Sequence, residues 1–133
     1  MVMVNMSTYD SGEYNKVTDP LVFNNPTVSA PYEPGLVMKT FIVAIGFDKG
    51  VIESTSTYVN TDKIRVEDRE IGNVLKGQTG TITMQHVLNW SLNTGMVTVV
   101  ERLGDGSNIT PGVRQTMYEY FHDRFGLGQV RVS

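Results

Sequence analysis

The chain has 133 residues, of which 40% are hydrophobic and 19% charged, a balance typical of one folded domain and not of a disordered segment. The net charge is −3 and only 11 residues are basic, a balance that disfavours nucleic-acid binding. Cysteine is absent, so disulfides, thiolate metal sites and cysteine nucleophiles are excluded.

His86 and His122 have no metal-ligating neighbour at i+3 or i+4, so we expect no metal site and no cofactor. No apolar run reaches about 18 residues and no basic leader opens the chain, so we expect neither a membrane span nor a signal peptide.

The first 34 residues form a predicted strand followed by a long loop. Apolar residues alternate through positions 1–6 and predict a strand there. Positions 7–25 are rich in Asp, Gly, Asn and Pro, which is typical of turns. Four aromatic residues predict that this loop is packed down rather than mobile: Tyr9, Tyr14, Phe23 and Tyr32.

Positions 35–50 predict one helix. From 36 to 47 the residues are apolar on every side, so we expect a helix buried all round, closed by Gly50 as a left-handed cap. Lys39 is the only charge between 36 and 47, and a buried lone ammonium costs several kcal/mol unless it is paired or its pKa falls. In one interpretation the methylene groups of Lys39 are buried while its ammonium reaches solvent or a carboxylate. In the other, Lys39 is a desolvated general base. The pattern alone leaves both interpretations open.

Short strands and loops are predicted for 51–82, and helices for 83–126. Strand-like alternation occurs at 55–59 and 63–66, whereas the charge run at 67–70 reads as a solvated edge. Thr83 is the expected N-cap of a helix over 84–91, and a second helix is expected over 96–103. Thr110 followed by Pro111 predicts the start of a third helix, which ends before Gly126.

Several motifs, in this order, resemble landmarks of the transpeptidase domain of penicillin-binding proteins. They are Phe23-Asn24-Asn25, Glu33-Pro34-Gly35, Met38-Lys39, Gly80-Thr81-Ile82-Thr83-Met84, Ser91-Leu92-Asn93-Thr94-Gly95-Met96 and Phe125-Gly126-Leu127-Gly128. The resemblance runs from 1 to 129 and covers about the first half of such a domain. It implies an α/β fold, or α+β if few strands are present, made of helices with short strands.

The resemblance also implies a site. Lys39 takes the lysine place of the family's S-x-x-K element, while Ser91 and Asn93 fit its S-x-N element. In that family the lysine accepts the proton of a nucleophilic serine, the second serine relays protons, and the asparagine positions the substrate amide. Leu36 stands in the place of the nucleophilic serine and has no atom able to attack a carbonyl.

Three functions follow as hypotheses. The first is a truncated transpeptidase-like serine acyltransferase module that is inactive in peptidoglycan cross-linking, since Leu36 replaces the nucleophile and the family's K-T-G strand is not found. The second is a small esterase in which Ser91 attacks and Lys39 is the base, acting on a small ester or peptidoglycan-like substrate. The third is a non-catalytic binding or assembly module. In each case we expect a homo-oligomer, and the family itself works outside the cytoplasmic membrane.

Overall fold

The computed structural model describes residues 9–25 and 33–129, and the chain divides into two units after Pro34. In the first unit, two 3-10 helices span Ser11–Lys16 and Pro20–Phe23. Each begins after an aspartate, Asp10 or Asp19, whose carboxylate accepts a backbone N–H two residues later. The strand predicted over 1–6 lies outside the described residues, as does Tyr32.

The aromatic residues of this first unit only partly meet the prediction. The rings of Tyr9 and Phe23 meet edge to face, with centroids 4.7 Å apart. Tyr14, by contrast, is 65% exposed, so the expectation that its ring anchors the loop is wrong. Short polar turns, and not aromatic packing along the whole loop, give this segment its local structure.

The second unit combines helices with short antiparallel strands. After a 3-10 turn at Gly35–Val37, the described elements are α1 (Met38–Asp48), β1 (Thr57–Asn60), β2 (Lys63–Val66), β3 (Arg69–Gly72), β4 (Gly80–Thr83), α2 (Met84–Asn89), α3 (Asn93–Arg102) and α4 (Pro111–Tyr118), which continues as a π-helix over Glu119–Arg124. This mixture confirms the predicted α/β, helix-rich class with short strands. Within the described residues, no helix is long and apolar enough to cross a membrane.

Helix α1 ends where the sequence predicted. Gly50 has a φ of 66°, a left-handed conformation that glycine adopts at little cost. Its N–H donates to the carbonyl of Phe47, and the N–H of Val51 donates to the carbonyl of Gly46, both at 3.0 Å. These two bonds form a Schellman motif and satisfy carbonyls that the end of the helix would otherwise leave unpaired.

The prediction that α1 is buried on every side is wrong. Val43, Ile45 and Gly46 are buried, but Phe47 is 46% exposed and Leu36, in the turn before the helix, is 65% exposed. The helix packs on α3, where a Cβ on Gly46 would lie 2.8 Å from Val99, and also on the C-terminal segment, where the ring centroids of Phe41 and Phe125 are 4.9 Å apart. An all-round apolar sequence therefore accompanies a helix that keeps part of its surface exposed.

The strands form two separate ribbons. β1 pairs antiparallel with β4, placing Tyr58 opposite Ile82, and β2 pairs antiparallel with β3, placing Lys63 opposite Gly72. The sequence predicted β1 and β2 but not β3 and β4. The charge run at 67–70 is solvent-exposed, as expected, yet its second half belongs to β3, because the turn at Glu67 sends the chain back beside β2.

Helix α3 begins three residues earlier than predicted. Thr83 caps α2 and Thr110 caps α4, each by accepting the N–H three residues later, as the sequence indicated. For α3, however, the Asn93-Thr94-Gly95 stretch is the first helical turn and not a connecting loop. Local propensity failed here because these residues are held by partners far away in the sequence.

The core surrounds α3. Its buried cluster comprises Val43, Ile52, Tyr58, Met84, Val87, Leu92, Met96 and Val99. Gly95 lies where α2 and α3 touch, and a Cβ added to it would lie 2.4 Å from a methyl carbon of Val87. The close approach of these two helices fixes the segment between them, residues 90–92, which includes Ser91.

Candidate active site

The ammonium of Lys39 lies at the centre of a polar cluster. Lys39 occupies the first turn of α1 and is half-buried. Its Nζ donates to the carbonyl oxygen of Ser91 at 2.6 Å, to the hydroxyl of Ser91 at 2.9 Å and to Oδ1 of Asn93 at 2.7 Å. The structure thus brings together the three residues that the resemblance indicated. The three protons of an ammonium are matched by three acceptors.

Ser91 owes its position to its backbone. Its φ of 53° is left-handed, a conformation that costs a non-glycine residue about 1–2 kcal/mol. Its N–H donates to Leu88 at 3.2 Å and the N–H of Leu92 donates to Val87 at 3.0 Å, so the end of α2 holds the reversal. This reversal presents both the carbonyl and the hydroxyl of Ser91 to Lys39.

Asn93 connects Lys39 to the β2–β3 ribbon. Its Nδ2 donates to the carbonyl oxygen of Gly72, at the end of β3, at a distance of 2.8 Å. Because the amide nitrogen is engaged there, Oδ1 points to Lys39. The sequence did not single out this role of the Gly72 carbonyl, since a backbone contact spanning 21 residues leaves no motif.

The acceptors that bind the Lys39 ammonium are polar and neutral. Burial lowers the pKa of Lys39 from its ordinary value, because the charged form loses hydration. In the described part of the chain, no carboxylate lies within ion-pair distance of its Nζ. Among the described residues, Lys39 therefore bonds to neutral acceptors and not to a carboxylate.

These contacts suit either protonation state of the lysine. As an ammonium, Lys39 donates to all three oxygens. As a neutral amine it keeps two protons for the Ser91 carbonyl and Asn93, and its lone pair accepts from the Ser91 hydroxyl, which can donate or accept. One proton can thus pass between Nζ and Oγ without rearrangement of the heavy atoms.

Leu36 stands apart from this polar cluster. It lies in the 3-10 turn at Gly35–Val37, three residues before Lys39, and its side chain is 65% exposed. A leucine side chain contains only carbon and hydrogen, so it provides no nucleophile, acid or base.

The two histidines do not contribute to a metal site in the described ranges. Nδ1 of His86 lies 3.0 Å from the Thr83 hydroxyl, and Nδ1 of His122 lies 2.7 Å from the Asp123 carboxylate. Among residues 9–25 and 33–129, no three metal-ligating His, Cys, Asp or Glu side chains group together.

Comparison with protein families aligns residues 1–133, the whole chain, with the penicillin-binding protein transpeptidase domain. The chain belongs to this transpeptidase family. No solved structure shows significant similarity to it.

Two curated relatives carry transpeptidase names. The peptidoglycan D,D-transpeptidase FtsI homolog of Nephroselmis olivacea is 35% identical over 77 residues, which cover 54% of this chain and 11% of that relative. The probable peptidoglycan D,D-transpeptidase FtsI of Caulobacter vibrioides (strain NA1000 / CB15N) is 29% identical over 102 residues, covering 77% of this chain and 17% of the relative. The transpeptidase-family chain therefore spans less than a fifth of either relative's length.

Proposed function

We propose that this chain is a penicillin-binding-protein transpeptidase module that keeps the polar cluster for proton transfer and substrate positioning but is inactive in the family's acyl transfer. The observation that carries the proposal is the Lys39 cluster, three hydrogen bonds to Ser91 and Asn93, beside an exposed leucine at position 36. Family membership and the names of the two relatives indicate a peptidoglycan-like substrate.

The inactivity follows from the chemistry of Leu36. Acyl transfer through a covalent intermediate needs a nucleophile such as a hydroxyl or a thiol. The nucleophile attacks the substrate carbonyl while a base removes the proton of the nucleophile. Residues three apart on a helical turn share a face, so a serine at position 36 would be a neighbour of Lys39. Leucine at this position leaves Lys39 without the nucleophile that it would serve.

Intact-mass spectrometry tests this proposal. The purified protein is incubated with benzylpenicillin and, separately, with a thioester depsipeptide, both of which acylate a nucleophilic serine. We expect the mass of the protein to remain unchanged after hours with either reagent. A stoichiometric mass increase that maps to any residue of the chain would contradict the proposal.

A second candidate function has its own supporting observation, the 2.9 Å distance between Nζ of Lys39 and Oγ of Ser91. In this esterase hypothesis Lys39 in its neutral form takes the proton as Oγ attacks an ester carbonyl, and the alcohol leaves with that proton. Water then hydrolyses the acyl-serine and restores Ser91. Activated esters need less oxyanion stabilisation than amides, so they are the substrates of choice.

Hydrolysis of short-chain p-nitrophenyl esters separates the two candidates. The parent is compared with Ser91→Ala and Lys39→Ala, and with Ser107→Ala as a matched control at an exposed serine elsewhere. Circular dichroism verifies that each variant is folded. Loss of turnover in the first two variants and retention in the third supports the esterase, whereas an inactive parent, or full activity in Ser91→Ala, rejects it.

A further inference from the structure

A fully buried polar network lies behind the Lys39 cluster. Its central residues are Asn60 on β1, Asn73 directly after β3, and Thr94 on α3, each no more than 2% exposed. The Thr94 hydroxyl lies 2.9 Å from Oδ1 of Asn60 and 2.9 Å from the hydroxyl of Tyr58. Buried amide and hydroxyl groups cost free energy unless each has a hydrogen-bond partner. The network satisfies them with one another, so it holds β1, the end of β3 and α3 in one arrangement.

Asn73 supplies the cap that α3 lacks. The N-cap residue of α3 is Leu92, which has no side-chain acceptor for the free N–H groups of the first turn. Oδ1 of Asn73 instead accepts the N–H of Thr94 at 3.0 Å. A residue 21 positions earlier in the sequence thus performs the task that a serine, threonine or aspartate usually performs locally.

Asn73 is itself held on two sides. Its Nδ2 donates to Oδ1 of Asn60 at 3.1 Å, which fixes the orientation of its amide. Its backbone N–H donates to the carbonyl of Asp62 at 2.9 Å, and Nδ2 of Asn60 donates to the carbonyl of Gln78. The acceptor presented to α3 is therefore preorganised by the segments that enter and leave the β2–β3 ribbon at its open end.

Gly72, the last residue of β3, and Asn73, which follows it, hold two consecutive residues of α3. The Gly72 carbonyl accepts from the side chain of Asn93, and the Asn73 side chain accepts from the backbone of Thr94. We infer that Asn73 is a positioning residue for the Lys39 cluster: by capping α3 at Thr94 it fixes Asn93, and through Asn93 the acceptors that surround the Lys39 ammonium. The inference deepens the proposed function, on which its catalytic relevance rests.

NMR spectroscopy of three variants tests this role. Asn73→Ala removes the acceptor, Asn73→Asp keeps an acceptor for the Thr94 N–H, and Val113→Ala is a control for a buried side chain in α4. The measurements are the exchange protection of the Thr94 amide, the side-chain amide signals of Asn93 and the 13Cε signal of Lys39. None of these measurements requires turnover, so their outcome does not depend on whether the chain is catalytically active.

We expect Asn73→Ala to lower the exchange protection of Thr94 by roughly tenfold, as loss of a buried hydrogen bond of about 1.4 kcal/mol implies, and to shift the Asn93 and Lys39 signals. Asn73→Asp should retain Thr94 protection and the Asn93 signals. Val113→Ala should leave the Asn93 and Lys39 signals unchanged, and any loss of Thr94 protection in it should be no larger than that of other core amides. The inference is overturned if folded Asn73→Ala keeps the parent signals, or if Val113→Ala moves them equally. Should Asn73→Ala fail to fold, loss of Thr94 protection in Asn73→Asp overturns it.

Discussion

At the scale of single residues, the half-buried Lys39 side chain bonds to neutral acceptors among the described residues. Three neutral oxygens accept from its Nζ, while burial lowers its pKa. Below its folded pKa this lysine is charged both folded and unfolded, and its desolvation opposes folding. As pH rises from the lowered folded pKa towards the ordinary lysine value, the unfolded state binds more protons, so the contribution of Lys39 to folding becomes less unfavourable.

The left-handed backbone of Ser91 leads to a stability prediction. Ser91→Gly and Ser91→Ala both remove the hydroxyl that Lys39 contacts, but only glycine relieves the cost of a φ of 53°. We expect Ser91→Gly to be more stable than Ser91→Ala by about 1 kcal/mol. Urea unfolding of the two variants measures the difference, and equal or reversed stabilities would show that the backbone at this position is unstrained.

Glu101 gives a prediction of pH dependence. Burial, with a smaller effect from the charge of Asp105, raises the pKa of this carboxyl, which is 8% exposed. In the window from the ordinary glutamate pKa up to the raised folded value, the folded state binds more protons, so this group's contribution to stability falls as pH rises.

Glu101→Gln should therefore be more stable than the parent at pH 7, and the advantage should vanish in acid below the ordinary glutamate pKa. Urea midpoints measured between pH 4 and 8 provide the comparison. Glu53→Gln, at an exposed glutamate, is the matched control and should follow the parent curve. A constant difference across this pH range would show that Glu101 is not the titrating group responsible.

The sequence indicated the three side chains that meet in the Lys39 cluster, but not the residues behind them that hold the cluster in place. Lys39, Ser91 and Asn93 stand in recognisable motifs because each side chain offers a chemical group at a characteristic spacing. The roles of Gly72 and Asn73 left no such signal: one acts through its backbone carbonyl, and the other caps a helix 21 residues away. Such long-range contacts depend on how β3 and α3 pack, which spacing does not encode.

At the scale of elements, the approach of α2 and α3 depends on the absence of a side chain at Gly95. An added Cβ would meet Val87 at 2.4 Å, far inside van der Waals contact. We expect Gly95→Ala to reduce the free energy of unfolding by about 2 kcal/mol through overpacking.

The matched control is Gly112→Ala, in the first turn of α4, where an added Cβ has its nearest neighbour at 3.8 Å. Alanine has a higher helix propensity than glycine, so this change should leave stability unchanged or raise it by up to about 1 kcal/mol. Chemical denaturation compares the pair, and similar losses in both variants would refute the packing argument.

Helix ends were more predictable than strands. Thr83, Thr110 and Gly50 each carry local chemistry that ends or begins a helix, and each acts as predicted. β3 and β4 were missed because their sequences contain charged residues or glycine, which are rare in strands. Each of them is stabilised by pairing with a partner strand, β2 or β1. The start of α3 was misplaced because its cap comes from Asn73, outside its own sequence.

At the scale of the whole molecule, exposed apolar side chains support self-association. In the second unit, large hydrophobic residues with at least 40% exposure include Leu36, Val37, Phe47, Val59, Val74, Leu75, Trp90 and Tyr118. Where such side chains are contiguous, they favour burial against another surface. We therefore propose a homo-oligomer, and sedimentation velocity at micromolar concentration should give a multiple of 14.8 kDa. A single species at the monomer mass would contradict it.

We propose that Leu36 deprives an otherwise intact polar cluster of its nucleophile, so that the Lys39 cluster could still activate a serine placed at position 36. The most direct measurement is intact-mass analysis of Leu36→Ser after incubation with benzylpenicillin, beside the parent and the double variant Leu36→Ser/Lys39→Ala. We predict a stoichiometric penicilloyl adduct on the introduced serine only where Lys39 is present, and none on the parent. An unmodified Leu36→Ser protein that remains folded would contradict the claim, because the Lys39 cluster would then be unable to activate a nucleophile.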